Sequence, residues 1–424
     1  MTDPARRPLG RAADSAPAPV GTRVVLDARP LQEPERAPTT ATYLDGLLAA
    51  FDGEPLAGES FALLLQSDLD DPTTRYTRLD VVGRRLLPPT RLLRSGALTV
   101  DPFLLRGASL GAAWRAERHG AAGAVYHAAG GGSLPLASGL PIVVTLLDLA
   151  PWQLPGAFQR TVATRFGQRL RGQLVREAAA VIVGTDSVAA TARRLLRLRR
   201  ERVRVIPFPA RAAFTPHGPD AAPERDRLGL PDRYLVYAGR YDARQDLATL
   251  LRSLAALGAG GRPASLEAAV PWPPRVLLVG ASPDDRAALA RAAAREGVGD
   301  ALAYAPHLAD DRLAALVRGA RAAILPALSE AAGHAAIESI ACGTPVVASA
   351  VGALPELVGT AGILVEPREP ERLAAALRAV WLEASVHGRL VAAAQARARD
   401  RRPTWSEVAR ATRAVYAEVA TRGR

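Results

Sequence analysis

Two glutamates, Glu330 and Glu338, stand eight positions apart in the segment from Ala322 to Ser349. Ahead of them the apolar run Ala322–Leu325 ends at Pro326, and after them Cys342-Gly343-Thr344-Pro345 leads into a second apolar run, Val346–Ala348. The pattern predicts strand, loop, helix, turn and strand, with the helix opening near Gly333 and Glu338 about one turn inside it. The first turn of a helix has unpaired backbone N–H groups and the positive end of the dipole, so it can receive phosphate. A carboxylate further along can accept hydrogen bonds from ribose hydroxyls. Two acids around one helix end could therefore hold a nucleotide-sugar. Their spacing alone carries little weight; the frame around them carries the reading.

That frame recurs along the chain. Strands are predicted at Arg23–Asp27, Phe61–Gln66, Ala124–Tyr126, Ile142–Leu146, Ala180–Val183 and Val203–Ile206, with helices between them, notably over Ala157–Ala178 and Ser187–Leu198. A second series is predicted at Tyr234–Ala238, Val276–Val279, Leu302–Tyr304, Ala322–Leu325, Val346–Ala348 and Gly362–Val365. Apolar strands alternating with helical segments predict an α/β fold of parallel sheets. The proline-rich stretch after Phe214 divides the two series. The expected organisation is a disordered tail over 1–20, a Rossmann-like domain over 21–214, a linker over 215–232, a second such domain over 233–400, and a C-terminal helix over 401–424 that returns to the first domain.

Composition excludes several chemistries. The chain has no lysine, so all 54 basic residues are arginines, and Walker P-loop, kinase and Schiff-base chemistry are ruled out. Cys342 is the only cysteine, and the six histidines form no metal-ligand spacing, so no metal is expected. There is no secretory signal and no apolar run long enough to span a membrane, which predicts a cytoplasmic protein. The net charge of +12 admits nucleic acid, an anionic membrane surface or anionic substrates. The densest basic run, Arg193 to Arg204, with further arginines at 160, 165, 169, 171 and 176, has no interleaved aromatic platforms, so nucleic acid is not expected. A solvated helical face and a peripheral contact with the inner face of the cell membrane both remain open.

These residues resemble the family 4 (group 1) glycosyltransferases, retaining enzymes of the GT-B fold. The resemblance runs from Val24-Val-Leu-Asp-Ala-Arg-Pro30 through Val125-Tyr-His127, Val143 to Pro151, Val181 to Ser187 and Val203 to Pro207. It continues through Tyr234 to Arg240, Leu277-Leu-Val-Gly280, His307 to Leu313 and the 322–349 block. It implies two domains facing a cleft, a nucleotide-sugar donor held by the second, and a glycan, lipid-linked or small-molecule acceptor on the first. Arg240 would meet the donor diphosphate; Gly280, His307 and Leu308 would border the base; Glu330 would touch the donor sugar. Gly333 and His334 would present backbone amides, Glu338 would bind ribose, and Asp148 would face them across the cleft. The donor's own phosphate oxygen would take the acceptor proton, with no cofactor and no metal.

The chain departs from the family at Gln245, where a lysine is expected, and at Leu147, where a histidine is expected. It also departs at Ala331-Ala332, at Ala335 and in the glycine-free segment Arg36–Tyr43. A neutral group in place of the lysine forfeits ~1–2 kcal/mol of phosphate binding, about tenfold in affinity. A catalytically impaired protein that partners an active transferase would account for these departures. A nucleic-acid-binding protein would account for the charge alone.

Overall fold

A computed structural model describes residues 21–89, 92, 97–118, 123–399 and 403–422. The expected tail over 1–20 lies outside the described residues, as does part of the break near Arg401-Arg402-Pro403. In the first half β1 (Arg23–Asp27) leads to α1 (Pro38–Gly53), β2 (Ser60–Gln66), β3 (Val81–Leu87), α2 (Ala97–Arg118), β4 (Ala124–Ala129) and β5 (Ile142–Thr145). Two single turns follow, α3 (Ala150–Gln153) and α4 (Pro155–Phe158), then α5 (Val162–Glu177), β6 (Ala180–Val183), α6 (Asp186–Leu196) and β7 (Val203–Val205). The second half contains α7 (Ala222–Arg227), β8 (Leu235–Tyr237), α8 (Leu247–Ala259), β9 (Val276–Val279), α9 (Pro283–Arg295), β10 (Leu302–Ala305) and α10 (Asp310–Gly319). It continues with β11 (Ala322–Leu325), α11 (His334–Ala341), β12 (Val346–Ser349), α12 (Leu354–Val358), β13 (Gly362–Val365), α13 (Pro370–Leu382) and α14 (Ala384–Arg399), and ends with α15 (Trp405–Arg422).

The strands form two sheets, β3-β2-β1-β4-β5-β6-β7 and β10-β9-β8-β11-β12-β13, in which every pairing is parallel. Helices cover both faces, which is why central strands such as β4, β6, β9, β11 and β12 are buried along their whole length and read as apolar runs. In each sheet the strand order reverses once, beside β1 and β4 and beside β8 and β11. The loops after those strands open a crevice at their carboxyl ends.

Four local expectations are corrected. β3 was not anticipated: Val82 to Leu86 are exposed, so this edge strand carries Arg84 and Arg85 rather than an apolar run. The single helix expected over Ala157–Ala178 is divided at Thr161, whose hydroxyl and that of Thr164 cap each other's backbone N–H groups and start α5 anew. The glycine-free segment Arg36–Tyr43 is not a loop throughout, because Pro38 opens α1 and buries Thr40 and Tyr43. The 215–232 stretch is folded onto the second sheet: Glu224 of α7 takes a two-point ion pair from Arg312 of α10 at 2.7 and 2.6 Å, and Leu230 enters that sheet's core.

The C-terminal helix leaves the second half and docks on the first. α15 packs along α1, and Arg413 reaches both carboxylate oxygens of buried Glu59 at 3.0 and 2.7 Å. Deeper in, the Tyr416 hydroxyl lies 2.6 Å from His127 Nδ1, while His127 Nε2 lies 2.9 Å from Thr145 Oγ1, which in turn donates to Tyr43. His127, read at the outset only as part of a strand motif, is thus the pin that joins α15 to β4 and β5. Burial holds its imidazole neutral, with a pKa lowered to about 3.

The sign of the resulting pH effect follows from that depression. The unfolded chain takes up a proton here near pH 6.5, whereas the folded chain resists until about 3. Stability from the neutral imidazole is therefore complete above the unfolded value and is lost as pH falls through this window. In urea unfolding at about pH 7 and about pH 5, wild-type protein should lose more stability between the two than His127→Gln does. An equal loss in both would show that His127 does not titrate on unfolding.

Candidate functional site

The loop after β8 lies against the loop after β11. The amides of Leu328 and Ser329 donate to the Arg244 carbonyl at 2.6 and 3.3 Å, Asp246 N–H donates to the Pro326 carbonyl at 2.5 Å, and Gln245 bridges Ala327. On this double loop Asp242 organises two cations. Its carboxylate accepts Arg240 Nε at 2.9 Å and Arg244 Nε at 3.0 and 3.1 Å, and the Arg244 amide at 3.0 Å. Burial works against that carboxylate, but the hydrogen bonds and charge of Arg244 and then Arg240 hold it below the usual range.

Across the crevice stands Asp148, after β5. One of its oxygens accepts the Ala150 amide at 2.8 Å and the other accepts Arg244 Nη1 at 2.6 Å. The Arg244 guanidinium also lies over the Phe158 ring, 5.1 Å from its centroid. Arg240 reaches the Arg36 carbonyl at 3.4 Å, the Ser329 hydroxyl donates to the Gln153 side chain, and Glu356 of α12 accepts the Asp186 and Ser187 amides at 3.2 and 2.9 Å. These polar contacts bring the two halves together at the carboxyl ends of their sheets.

The α11 opening adopts the expected place, with its amides differently engaged. Gly333 has φ +69°, and a Cβ there would strike Leu357, so glycine is required. Its N–H donates to Glu330 Oε1 at 2.9 Å, so the half-buried Glu330 carboxylate occupies the helix end that an anion would otherwise meet. Glu330 is also built into the structure: its carbonyl accepts the Ala353 amide at 2.9 Å, and Gly352, with φ +56°, packs directly upon it. Glu330 thus has structural contacts of its own besides any it would make to a donor sugar. Burial, and then Asp148, raises its pKa against the opposing pull of Gly333 and Arg244. Ala331 and Ala332 are buried against cores of the first half, so this departure from the family pattern lies in the interface between the halves. His334 packs edge-on to Phe208 with Nε2 buried and unpartnered, and burial lowers its pKa to about 4.

Glu338 is only 7% exposed, and both its oxygens are already held: Arg211 Nε and Nη2 donate to them at 2.6 and 2.9 Å. The same guanidinium bonds Asp310 and stacks on Phe214. Burial still raises the Glu338 pKa, with Arg211 opposing. A ribose at Glu338 would therefore share it with Arg211. Gly280, at φ +78°, and exposed His307 are neighbours, a Cβ on the glycine being 3.9 Å from His307 Nδ1. Leu308 is a core residue at 2% exposure. Leu147 is likewise packed in the first core. Among the described residues no group of histidine, cysteine and acidic side chains could hold a metal ion.

Sequence reasoning missed Arg244 and Arg211. The signal for Arg244 was present: an arginine immediately precedes Gln245, close enough to restore the missing charge. Arg211 carries no comparable sign, because it meets Glu338 only through the fold.

Residues 232–383 match the family described as "Glycosyl transferases group 1". The chain is 37% identical over 222 residues to the D-inositol 3-phosphate glycosyltransferase of Streptomyces griseus, an alignment covering 50% of this chain and 46% of that protein. It spans about half the length of the curated relatives it matches. Sucrose-phosphate synthase from Thermosynechococcus elongatus superimposes with a TM-score of 0.66 at 20% identity, covering 95% of this chain and 100% of that one. Anabaena HepE in complex with UDP and glucose gives 0.66 at 17% identity, covering 94% and 100%. No helix among the described residues is long and apolar enough to cross a membrane. With two parallel Rossmann-like sheets meeting at a cleft and a C-terminal helix returning to the first, the chain adopts the GT-B fold, and its second half is similar to the group 1 glycosyltransferases.

Proposed function

We propose that this protein transfers a sugar from a nucleotide-sugar donor to an acceptor hydroxyl with retention of configuration. One observation carries the reading: Asp242 fixes Arg240 and Arg244 side by side at the reversal of the second sheet, next to Glu330 and the opening of α11. A diphosphate leaving group gathers negative charge as the glycosidic bond breaks, and two guanidinium groups held in place beforehand stabilise that charge without reorganising. Arg244 supplies the cation that Gln245 does not. Because Asp148 holds Arg244 at 2.6 Å, an entering diphosphate competes with that carboxylate and frees it to face the acceptor. Arginine charge takes the place that a metal ion would fill, and the donor's phosphate oxygen accepts the acceptor proton. The bound UDP in the HepE structure and the name of the inositol phosphate transferase support trying uridine nucleotides and polyol phosphates first.

A second reading, a partner of an active transferase that does not turn over, is favoured by the closed Arg211–Glu338 pair and by Leu147 packed where a polar group would serve. Calorimetry with UDP-, GDP-, ADP- and dTDP-sugars, followed by hydrolysis and transfer assays, separates the two. Binding with turnover supports the enzyme, whereas no binding at millimolar donor, or binding without turnover, supports the partner.

Replacing Arg244 by Ala should weaken nucleoside diphosphate binding roughly tenfold to a hundredfold, with Lys recovering part of the loss. Unchanged affinity for Ala would remove Arg244 from the phosphate site. Glu330→Gln keeps an acceptor for the Gly333 amide, so the fold should survive while turnover falls more than nucleotide binding does. A parallel fall of both would point to a purely structural role.

Substituting Arg211 by Ala leaves Glu338 buried without its cation and should cost about 3 kcal/mol in urea unfolding at neutral pH. That penalty should shrink on acidification, since the protonated carboxyl tolerates burial. A penalty independent of pH would mean that lost packing, not charge, is responsible.

A further inference from the structure

Among the described residues, the large apolar side chains that remain exposed are concentrated. All but Leu195 and Val205 stand along one edge of the first half, formed by β3, the segment after it, the start of α2 and the start of α5. β3 is the outermost strand and leaves Leu86 60% exposed. Phe103 of α2 is 58% exposed, and Val162 and Phe166 of α5, one turn apart, are 74% and 54% exposed. These elements are contiguous. Arg85 donates to the Gly107 carbonyl at 3.2 Å, and Leu98 lies so close to Gly167 that a Cβ there would be 2.7 Å from the leucine's own.

On the α2 and α5 part of this edge the exposed charge is basic, whereas on β3 Arg84 pairs with Asp71 at 2.6 Å. The exposed stripe of α5 interleaves Val162 and Phe166 with Arg165 and Arg169, and no acidic residue occurs between Val162 and Arg176. In Ala97–Gly107 the single acid, Asp101, is buried against Arg29 at 3.1 Å. Apolar side chains that can enter a bilayer interface, set among guanidinium groups at the level of lipid phosphates, complement an anionic membrane. The run from Arg193 to Arg204 is denser in arginine but differently engaged: Arg202 donates to the Arg176 and Ala178 carbonyls, and Arg204 pairs with Glu418 at 2.7 Å.

We infer that the β3–α2–α5 edge docks the protein on an anionic lipid surface, with Phe103, Val162 and Phe166 in the interface and Arg165 and Arg169 on lipid phosphates. α5 begins just after Phe158, the ring beneath Arg244, so the docked edge lies beside the cleft. Given the glycosyltransferase reading, on which this step rests, the acceptor is a hydroxyl of a lipid head group presented from the membrane plane. Docking itself stands apart from that reading and is measured apart from it.

The test is co-sedimentation of the full chain with vesicles of phosphatidylglycerol and phosphatidylcholine in equal parts, compared with phosphatidylcholine alone, across a salt series. Binding to the mixed vesicles should fall tenfold or more on raising salt to about 0.5 M. The double variants Arg165→Glu/Arg169→Glu and Phe103→Ser/Phe166→Ser should each lower partitioning about tenfold, and Arg199→Glu/Arg200→Glu should leave it within about twofold. Thermal melts and nucleotide titrations, which these exposed changes should leave unaltered, establish that each variant is folded. Equal recovery with neutral vesicles would overturn the assignment, as would an equal loss in the Arg199/Arg200 variant. So would salt-independent self-association abolished by the Phe103/Phe166 change, which would make the edge an interface between copies of the chain. Docking without sugar-nucleotide binding would refute the enzymatic reading while leaving the surface in place, and the reverse result would do the opposite.

Discussion

The carboxylate of Asp242 is the point on which the site depends. Two arginines within reach of each other repel, and at a partly buried cleft that repulsion is weakly screened. One acid bonded to both cancels most of it and fixes their planes, leaving Arg244 free to extend to Asp148. The result is a chain of alternating charge, Arg240, Asp242, Arg244, Asp148, that crosses from one sheet to the other. Each member is bound by more than one partner, so none can turn away without leaving a neighbour unsatisfied.

This chain holds the carboxyl ends of the two sheets together, while α15 controls the far side. Its buried Arg413–Glu59 pair and the Tyr416–His127–Thr145 series tie the last helix to the first sheet, so the second sheet is bounded by covalent connections to the first at both of its ends. Motion that opened the cleft would concentrate where the chain crosses, after β7 and before α15, and would break the Arg244–Asp148 and Glu356–α6 contacts together. On the proposed function, a donor diphosphate would supply new partners for Arg244 on one side only, which would give binding a means of altering how the halves meet.

The sheets were legible because parallel strands are buried on both faces, so that Val24-Val25-Leu26 or Val276 to Val279 stand out as apolar runs between turn signals. The edge strand β3 obeys no such rule and was invisible for the same physical reason. At the site, backbone requirements showed through: Gly333 and Gly280 stand where positive φ is needed. Side-chain pairing did not. Nothing in the sequence around Glu338 announces Arg211, 127 positions earlier in the chain, and nothing around Leu308 announces that its side chain lies in the core. Partners chosen by tertiary packing leave no periodicity behind.

The absence of lysine makes the placement of arginine informative. A guanidinium offers several donors in one plane and can satisfy two acceptors at once, so an arginine tends to be committed wherever acids or carbonyls surround it. Arg211, Arg244, Arg312 and Arg413 are all used in this way, each on carboxylates that would otherwise be left partly buried and charged. The basic balance of the chain is therefore not spread evenly over its surface. Where carboxylates are scarce, as along the exposed stripe of α5, the arginines stand without an internal acid on their own helix face, and it is there that an external anion finds them.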